Sequence, residues 1–128
     1  MSGERFIKAR LRSIWIAMDG IRQVFHTQQN ARIYAVITLV VLVAAGLCDL
    51  SRQEWALLLL VIGFVWAAEI FNTAIEELVD EVNPDPSPTA KRIKDISAGA
   101  VLVSVVVSIL VGLLIFGPRL WSWISRKG

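Results

Sequence analysis

Apolar side chains near the start of the chain recur in alternating steps of four and three residues. They are Ile7, Leu11, Ile14, Met18, Ile21 and Phe25, and the basic side chains between them take other faces. This period predicts an amphipathic helix over about residues 6–26. Such a helix lies on a membrane surface or packs in a bundle, and its basic residues favour anionic lipid or a phosphate ligand.

Three long apolar runs follow, and each is long enough to cross a bilayer, which takes about 17–25 residues. We expect membrane spans at about residues 31–47, 55–80 and 91–116. Polar breaks lie before the first run, at 27–30, and between the first and second runs, at 48–54. A proline-rich loop at about 81–90 precedes the last run. The pattern therefore predicts a surface helix followed by three transmembrane helices.

Some positions predict where helices begin and end. Ser87 followed by Pro88 suits an N-cap and a first helical position. Pro118 is expected to end the last helix, because proline has no backbone N–H to donate. Side chains typical of a membrane interface flank the spans: Trp55 before the second, and Trp121, Trp123, Arg126 and Lys127 after the third.

Composition supports a membrane protein. The chain has 128 residues, of which 55% are hydrophobic, and its mean hydropathy is +0.62, which is high for a soluble domain. We expect one all-α domain over residues 1–128, with no cleaved signal peptide. Cys48 is the only cysteine, which excludes an intrachain disulfide and a paired-cysteine metal site. Nothing in the pattern points to nucleic acid.

The distribution of basic residues predicts the orientation. Nine precede or open the first span or lie where the proline-rich connection meets the third span, and four lie in the other loop and the tail. Because basic residues concentrate on the cytoplasmic side, the N-terminus and the proline-rich loop should be cytoplasmic and the C-terminus outside. The expected location is the inner membrane.

The segment 69–80, EIFNTAIEELVD, carries a polar stripe within the second span. With Glu69 at zero, a helix places Asn72 near about −60°, Glu76 near about −20° and Asp80 near about +20°. If Trp55 marks the outer edge of a hydrocarbon layer about 30 Å thick, Glu69 lies about 9 Å below the cytoplasmic edge. An ionised group in the membrane costs about 2.5–3.5 kcal/mol, so Glu69 needs a partner or a function.

This stripe suits phosphoryl transfer to a lipid alcohol. A carboxylate at the membrane boundary can act as a general base toward a lipid hydroxyl, and carboxylates nearer water can hold Mg²⁺. Lys94 and Asp95 add charge at the start of the last helix, although an ion pair between them is the simpler interpretation. The sequence lacks the phosphate-binding motifs of soluble kinases. A proton- or cation-coupled carrier using Glu69, and a non-catalytic membrane subunit, are the alternatives.

Two motifs resemble the prokaryotic diacylglycerol kinase family, which includes undecaprenol kinases. The first reads E-x-x-N-[ST]-A-I-E-x-x-V-D over 69–80, and the second reads A-K-x-x-K-D-x-[SA]-A-G-A-V-L over 90–102. The resemblance covers nearly the whole chain. It implies a homotrimeric helical bundle with active sites between subunits, in which ATP with Mg²⁺ phosphorylates a membrane lipid.

The resemblance also implies roles for particular residues. It implies Glu69 as the catalytic base that meets the lipid, with Asn72 orienting Glu69 or the lipid hydroxyl. Glu76 is implied as a Mg²⁺ ligand beside the nucleotide. Nucleotide contacts are implied for Arg12, Asp80, Lys94 and Asp95.

One position departs from the family pattern. Gln28 stands where members commonly have a glutamate that serves as a second metal ligand and lies beside the nucleotide. Gln28 offers a carbonyl oxygen without negative charge, which changes the expected metal affinity. For the acceptor, the S-A-G-A-V-L segment and the proline-containing loop resemble the undecaprenol branch slightly more than the diacylglycerol branch.

Overall fold

The fold is all-helical in the computed structural model, which describes residues 3–126 of the chain. Four helices follow one another along the chain. They are α1 (Gly3–Thr27), α2 (Gln29–Leu47), α3 (Arg52–Val82) and α4 (Pro88–Ser125). The last three are long and apolar enough to cross a membrane. The predicted class, an amphipathic helix followed by three spans, is therefore confirmed.

The breaks between helices are shorter than the polar stretches suggested. Only Gln28 separates α1 from α2, with extended backbone angles of φ −104° and ψ 119°. The break before α3 is also short, because Ser51 and Glu54 form a capping box. The Ser51 backbone N–H donates to Glu54 Oε2 at 2.8 Å, and the Glu54 N–H donates to Ser51 Oγ at 3.3 Å.

The predicted start of the last helix is confirmed. Ser87 is the N-cap and Pro88 occupies the first turn, and the Ala90 backbone N–H donates to Ser87 Oγ at 3.1 Å. The irregular connection is thus limited to the residues between Val82 and Pro88. It joins α3 to α4 closely enough that the two helices pack side by side.

Most of the packing lies between α3 and α4. On α3 the buried residues recur in steps of three and four from Leu58 through Val61, Val65 and Glu69 to Asn72. On α4 the buried positions Ser97, Val101 and Ser104 recur with the same steps. Two such stripes form the seam of a helix pair, because residues three and four apart share a face.

A small apolar cluster closes one end of the bundle. Ala45, Leu58 and Ile115 from three different helices form its buried centre, and Trp55 packs against it. Trp55, expected as an interfacial anchor, therefore also contributes to packing. The cluster joins the end of α2 to the start of α3 and the far part of α4.

The expectation that Pro118 ends the last helix is wrong, since α4 continues through Pro118 to Ser125. The residue after the proline is held in place by an ion pair. Arg119 Nη1 lies 2.7 Å from Glu54 Oε1, and Arg119 Nη2 lies 2.8 Å from Glu54 Oε2. Nη1 also donates to the Ile115 carbonyl at 2.6 Å. This bidentate pair ties α4 beyond Pro118 to the first turn of α3, and so offsets the backbone bond that proline cannot make.

Helix α1 contacts the other helices through its last turns. Val24 is buried, and the Phe25 ring lies 5.1 Å from the Trp66 ring of α3. Trp66 Nε1 in turn donates to Thr38 Oγ1 of α2 at 3.1 Å. The apolar face of α1 from Phe6 to Ile21 is exposed. It is available to a membrane surface or to packing against other helices in a bundle, the two alternatives that the sequence left open.

The predicted tail is in part described. Trp121, Trp123 and Arg126 are exposed at the end of α4 and beyond it. Lys127 lies outside the described residues. The tail is helical as far as Ser125, so its aromatic side chains are carried by the same helix that forms the third span.

Candidate active site along the α3–α4 interface

Glu69 is the most deeply buried acidic side chain described, with 2% of its surface exposed. It lies on the α3 stripe that faces α4, one turn after Val65 and one turn before Thr73, both buried. Thr73 Oγ1 donates to the Glu69 backbone carbonyl at 3.0 Å. Within residues 3–126, no hydrogen bond is donated to the Glu69 carboxyl. A buried carboxyl that takes no hydrogen bond can accept a proton from a bound group.

Asn72 follows Glu69 on the same stripe and bonds to residues nearer the polar end of the site. Its side chain is 9% exposed, and its amide nitrogen donates to Glu76 Oε1 at 3.1 Å. Its amide oxygen accepts from Ser97 Oγ of α4 at 2.6 Å. Both ends of the Asn72 amide are thus engaged, so the group is held in one orientation.

Ser97 is a site residue that the sequence reading did not single out. It is buried, and its hydroxyl lies 2.6 Å from Asn72 Oδ1 and 2.9 Å from the Lys94 carbonyl. The sequence feature that could have indicated its role is a hydroxyl residue at the start of the S-A-G-A-V-L segment in the second motif. Spacing within α4 could not show that Ser97 faces Asn72, because that contact depends on how two helices are aligned.

Charged residues pair across and along the helices at the polar end. Lys94 Nζ of α4 forms an ion pair with Asp80 Oδ1 of α3. Lys91 Nζ lies 2.6 Å from Asp95 Oδ2 within α4. The simple alternative, an ion pair between Lys94 and Asp95, is not formed. Instead Lys94 links α4 to α3 through Asp80, and Asp95 pairs with Lys91, one turn earlier on α4.

A cleft opens beside these ion pairs, where α3 ends and α4 begins. Asp80, Lys91, Lys94 and Asp95 line it, together with Asn83 to Ser87 of the connecting loop and Ala90. Basic and acidic side chains thus face one polar cavity. A nucleotide needs both, because lysine ammonium groups bind phosphate oxygens and carboxylates hold the accompanying cation.

The polar stripe changes from buried to exposed along α3. Glu69 and Asn72 are buried, Glu76 is half-buried and Asp80 has 65% of its side chain exposed. The four residues share one face, as their spacing predicts. The stripe therefore runs from a dry position to an open one within three helical turns.

Two predicted site residues lie apart from this stripe. Gln28 is half-buried at the junction of α1 and α2, and its side chain makes no capping hydrogen bond. Arg12 is exposed in the middle of α1. No hydrogen bond or ion pair joins either residue to α3 or α4 in the part of the chain that the structure describes. Among the same described residues, no three His, Cys, Asp or Glu side chains lie close enough together to hold a metal ion.

These features define a multi-pass membrane protein whose polar site begins inside a helical bundle and opens at the end of two spans. Its sequence matches the family model described as prokaryotic diacylglycerol kinase over residues 15–116. Because that match covers most of the chain, the protein belongs to the prokaryotic diacylglycerol kinase family.

Characterised relatives agree with this assignment. The undecaprenol kinase of Bacillus subtilis is 42% identical over 101 residues, which cover 79% of this chain and 82% of that protein. A diacylglycerol kinase of Synechocystis is 36% identical over 107 residues, covering 83% of this chain and 61% of that protein. The diacylglycerol kinase of Pseudomonas aeruginosa is 30% identical over 105 residues, covering 82% and 85%.

The family assignment decides the class of activity. The protein is a lipid kinase, a phosphotransferase that uses ATP and a membrane lipid with an alcohol group. The matched residues include the whole of the polar stripe from Glu69 to Asp80 and the paired residues Lys94 and Asp95. This assignment favours the kinase interpretation over a carrier or a non-catalytic subunit.

We predict that Ser97→Ala weakens the α3–α4 pairing and misorients Asn72. The substitution removes the donor to a buried amide oxygen, which in membrane proteins costs about 0.5–2 kcal/mol. Thermal unfolding in detergent should therefore show a lower midpoint, and lipid kinase activity should fall.

Ser104→Ala is the matched control for this prediction. Ser104 is also buried on α4, but its hydroxyl donates to the Val101 carbonyl of its own helix, at 2.7 Å. Its loss should change the midpoint less and leave activity close to wild type. Equal effects of the two substitutions would contradict a specific role for the Ser97–Asn72 bond.

Proposed function

We propose that this protein transfers the γ-phosphate of ATP to the hydroxyl of undecaprenol in the inner membrane. Diacylglycerol is the second candidate acceptor. The observation that carries this proposal is the Glu69 carboxyl, which is buried in the bundle, takes no hydrogen bond within the described residues and begins a polar stripe leading to a charged cleft. A lipid hydroxyl approaches from the membrane, and ATP approaches from water.

In this proposal Glu69 is the general base. It accepts the proton of the lipid hydroxyl as that oxygen bonds to the γ-phosphorus, and ADP leaves with the electrons of the broken phosphorus–oxygen bond. A carboxyl surrounded by protein is well placed for this step, because water does not compete for the proton. Asn72 positions the reacting groups, since Ser97 and Glu76 hold both ends of its amide.

The charged cleft serves as the nucleotide site in this proposal. Lys94 supplies a cation to the phosphates, while Asp80 and Asp95 contact the nucleotide from the two helices. Support comes from their common position along the cleft at the ends of α3 and α4. Arg12 adds a phosphate contact from α1, which its exposed side chain leaves available.

Glu76 and Gln28 are proposed to hold Mg²⁺ with the nucleotide. Their chemistry fits this ion, because Mg²⁺ takes oxygen ligands and is commonly held by one or two protein groups together with phosphates. Asn72 donates to only one carboxylate oxygen of Glu76, Oε1, and the Gln28 side chain makes no capping hydrogen bond. The ion would neutralise the charge of the phosphates during transfer.

Undecaprenol is favoured as the acceptor by similarity. The relative at 42% identity is named undecaprenol kinase, whereas those at 36% and 30% are named diacylglycerol kinases. The segment from Ser97 to Leu102 supports the same choice on sequence. Because Ser97 contacts Asn72, this segment also lies beside the proposed catalytic residues.

We further propose a homotrimer in the inner membrane, with each chain forming one domain over residues 1–128. The exposed apolar face of α1 and the small residues near Ala67, Ala68 and Ala100 would permit close contact between subunits. The excess of basic residues on one side supports a cytoplasmic N-terminus and an external C-terminus. This orientation places the charged cleft where cytoplasmic ATP is available.

We predict that the purified protein, in mixed micelles with labelled ATP and Mg²⁺, transfers label to undecaprenol and more slowly or not at all to diacylglycerol. Thin-layer separation of the lipid products measures both acceptors in parallel. Label in diacylglycerol alone would overturn the choice of acceptor. Label in neither lipid would contradict the proposed function.

We predict that Glu69→Gln lowers lipid phosphorylation by at least about 10²-fold, because a general base commonly contributes about 10²–10⁴ in rate. Nucleotide binding, followed by a fluorescent ATP analogue, should stay near wild type. Glu77→Gln is the control, since Glu77 is an exposed carboxylate on the same helix. Unchanged turnover of the Glu69 variant would remove this residue from the role of base.

We predict that Gln28→Glu lowers the Mg²⁺ concentration needed for half-maximal activity. A carboxylate in place of the amide gives the ion a negatively charged oxygen ligand. Gln29→Glu places the same charge on the adjacent exposed residue and serves as the control. A magnesium titration that is identical for wild type and the Gln28 variant would show that this position does not hold the ion.

A further inference from the structure

An apolar groove lies between α2, α3 and α4, further from the polar end of the bundle than Glu69. Its α3 wall comprises Leu58, Val61, Ile62 and Val65, and its α2 wall runs from Tyr34 to Val41. The backbones of α2 and α4 do not approach each other closely in the described part of the chain, which leaves this space open between them. Neither the catalytic nor the nucleotide residues proposed above use this groove.

The groove begins one helical turn from Glu69 on α3. Val65 precedes Glu69 by one helical turn on the same buried stripe, and Val61 and Leu58 extend that stripe away from the polar end. Tyr34 lines the near end of the groove. Because Ala45 of α2 packs with Leu58 of α3, Tyr34 and Glu69, which lie equally far along their helices from that contact, are at about the same level. A molecule whose reactive group meets Glu69 could therefore extend along the groove without crossing a polar region.

The walls indicate the chemistry of the occupant. They are almost entirely aliphatic and aromatic, and Thr38 Oγ1 and Ser108 Oγ each already take part in a hydrogen bond, with Trp66 and the Val105 carbonyl. Such walls bind hydrocarbon and offer little to a headgroup or a nucleotide. The protein acts on a membrane lipid, so the hydrocarbon that enters beside Glu69 is the tail of its acceptor.

Gly112 leaves the far part of the groove open. It lies on the α4 face that lines the groove, between Ser108 and Phe116, and a Cβ atom built on it would meet no atom within 4 Å. Leu58 packs with Ile115 in the closing cluster, so Gly112, one turn earlier on α4, is level with about Val61 of α3. That level is about 12 Å from Glu69 along the helix axis.

We propose that this groove binds the hydrocarbon tail of the acceptor lipid and that Gly112 determines how long a tail it accepts. The inference rests on the proposed function, in which a lipid hydroxyl reacts at Glu69. A long tail passes Gly112, whereas a short tail ends before reaching it. Specificity for the acceptor is then set in part by a residue remote from the reacting atoms.

The test measures kcat/KM of the full-length protein in mixed micelles for undecaprenol and for geraniol, an isoprenoid alcohol whose tail is too short to reach Gly112. Gly112→Leu should lower kcat/KM for undecaprenol by roughly tenfold or more, because a steric mismatch in an apolar pocket has effects of this size. The value for geraniol should stay within about twofold of wild type. Gly112→Ala, a smaller addition, should give an intermediate loss.

Gly63→Leu is the matched control. Gly63 is an exposed glycine of α3, a Cβ atom on it would also meet nothing within 4 Å, and it does not line the groove. This substitution should leave the ratio of the two kcat/KM values unchanged. If diacylglycerol is the acceptor, the same comparison uses dioleoylglycerol and dihexanoylglycerol.

The outcomes separate the two proposals. A wild-type protein that phosphorylates neither undecaprenol nor diacylglycerol overturns the proposed function and the groove assignment together. If the wild type is active and the Gly112→Leu variant keeps the wild-type ratio of kcat/KM for undecaprenol and geraniol, only the groove assignment is overturned. The groove is then filled by bulk lipid or by a second copy of the chain. Equal losses for long and short acceptors also overturn it, because they indicate disturbed packing.

Discussion

Burial of the Glu69 carboxyl is the constraint on which the arrangement of α3 and α4 depends. Placing an ionisable carboxyl inside a membrane-spanning bundle costs free energy. Because Glu69 lies on the buried stripe of α3, it makes that stripe polar in the middle of the helix pair. Asn72 follows it on the same stripe, and its amide is satisfied at both ends by Glu76 and by Ser97 of α4. The helix pair therefore meets through polar contacts at the end that carries Asn72 and through aliphatic packing along the seam beyond Val65.

Contacts at both ends align the two helices. Asn72 with Ser97 and Asp80 with Lys94 join them near the polar end, while Glu54 with Arg119 joins them at the opposite end. Two helices held at both ends cannot easily slide or rotate relative to each other. Such alignment matters for catalysis, because the proposed base, the positioning amide and the nucleotide cleft lie on both helices and must keep their relative positions.

The same pairing separates three chemical environments along one axis. Aliphatic side chains surround the groove beyond Val65, Glu69 lies one turn from Val65 on the same buried stripe, and charged residues line the cleft where the loop joins α3 to α4. A lipid kinase must bring together a hydrocarbon-bearing acceptor and a highly charged donor. This order of environments along the bundle allows each substrate to approach from the phase in which it dissolves.

Local sequence patterns determined much of this protein from the sequence alone: the four helical segments, the cap at Ser87 and the alignment of Glu69, Asn72, Glu76 and Asp80 on one face. These features depend on one helix at a time, so the helical period of 3.6 residues and the capping residue types are sufficient to define them. Tertiary structure decided what depends on two helices: Ser97 as the partner of Asn72, Asp80 rather than Asp95 as the partner of Lys94, and the groove beside Gly112. It also decided that α4 passes through Pro118, since the pairing of Arg119 with Glu54 joins residues far apart in sequence. Sequence spacing defines the faces of each helix, whereas the rotation and axial shift between helices follow from packing that spacing does not encode.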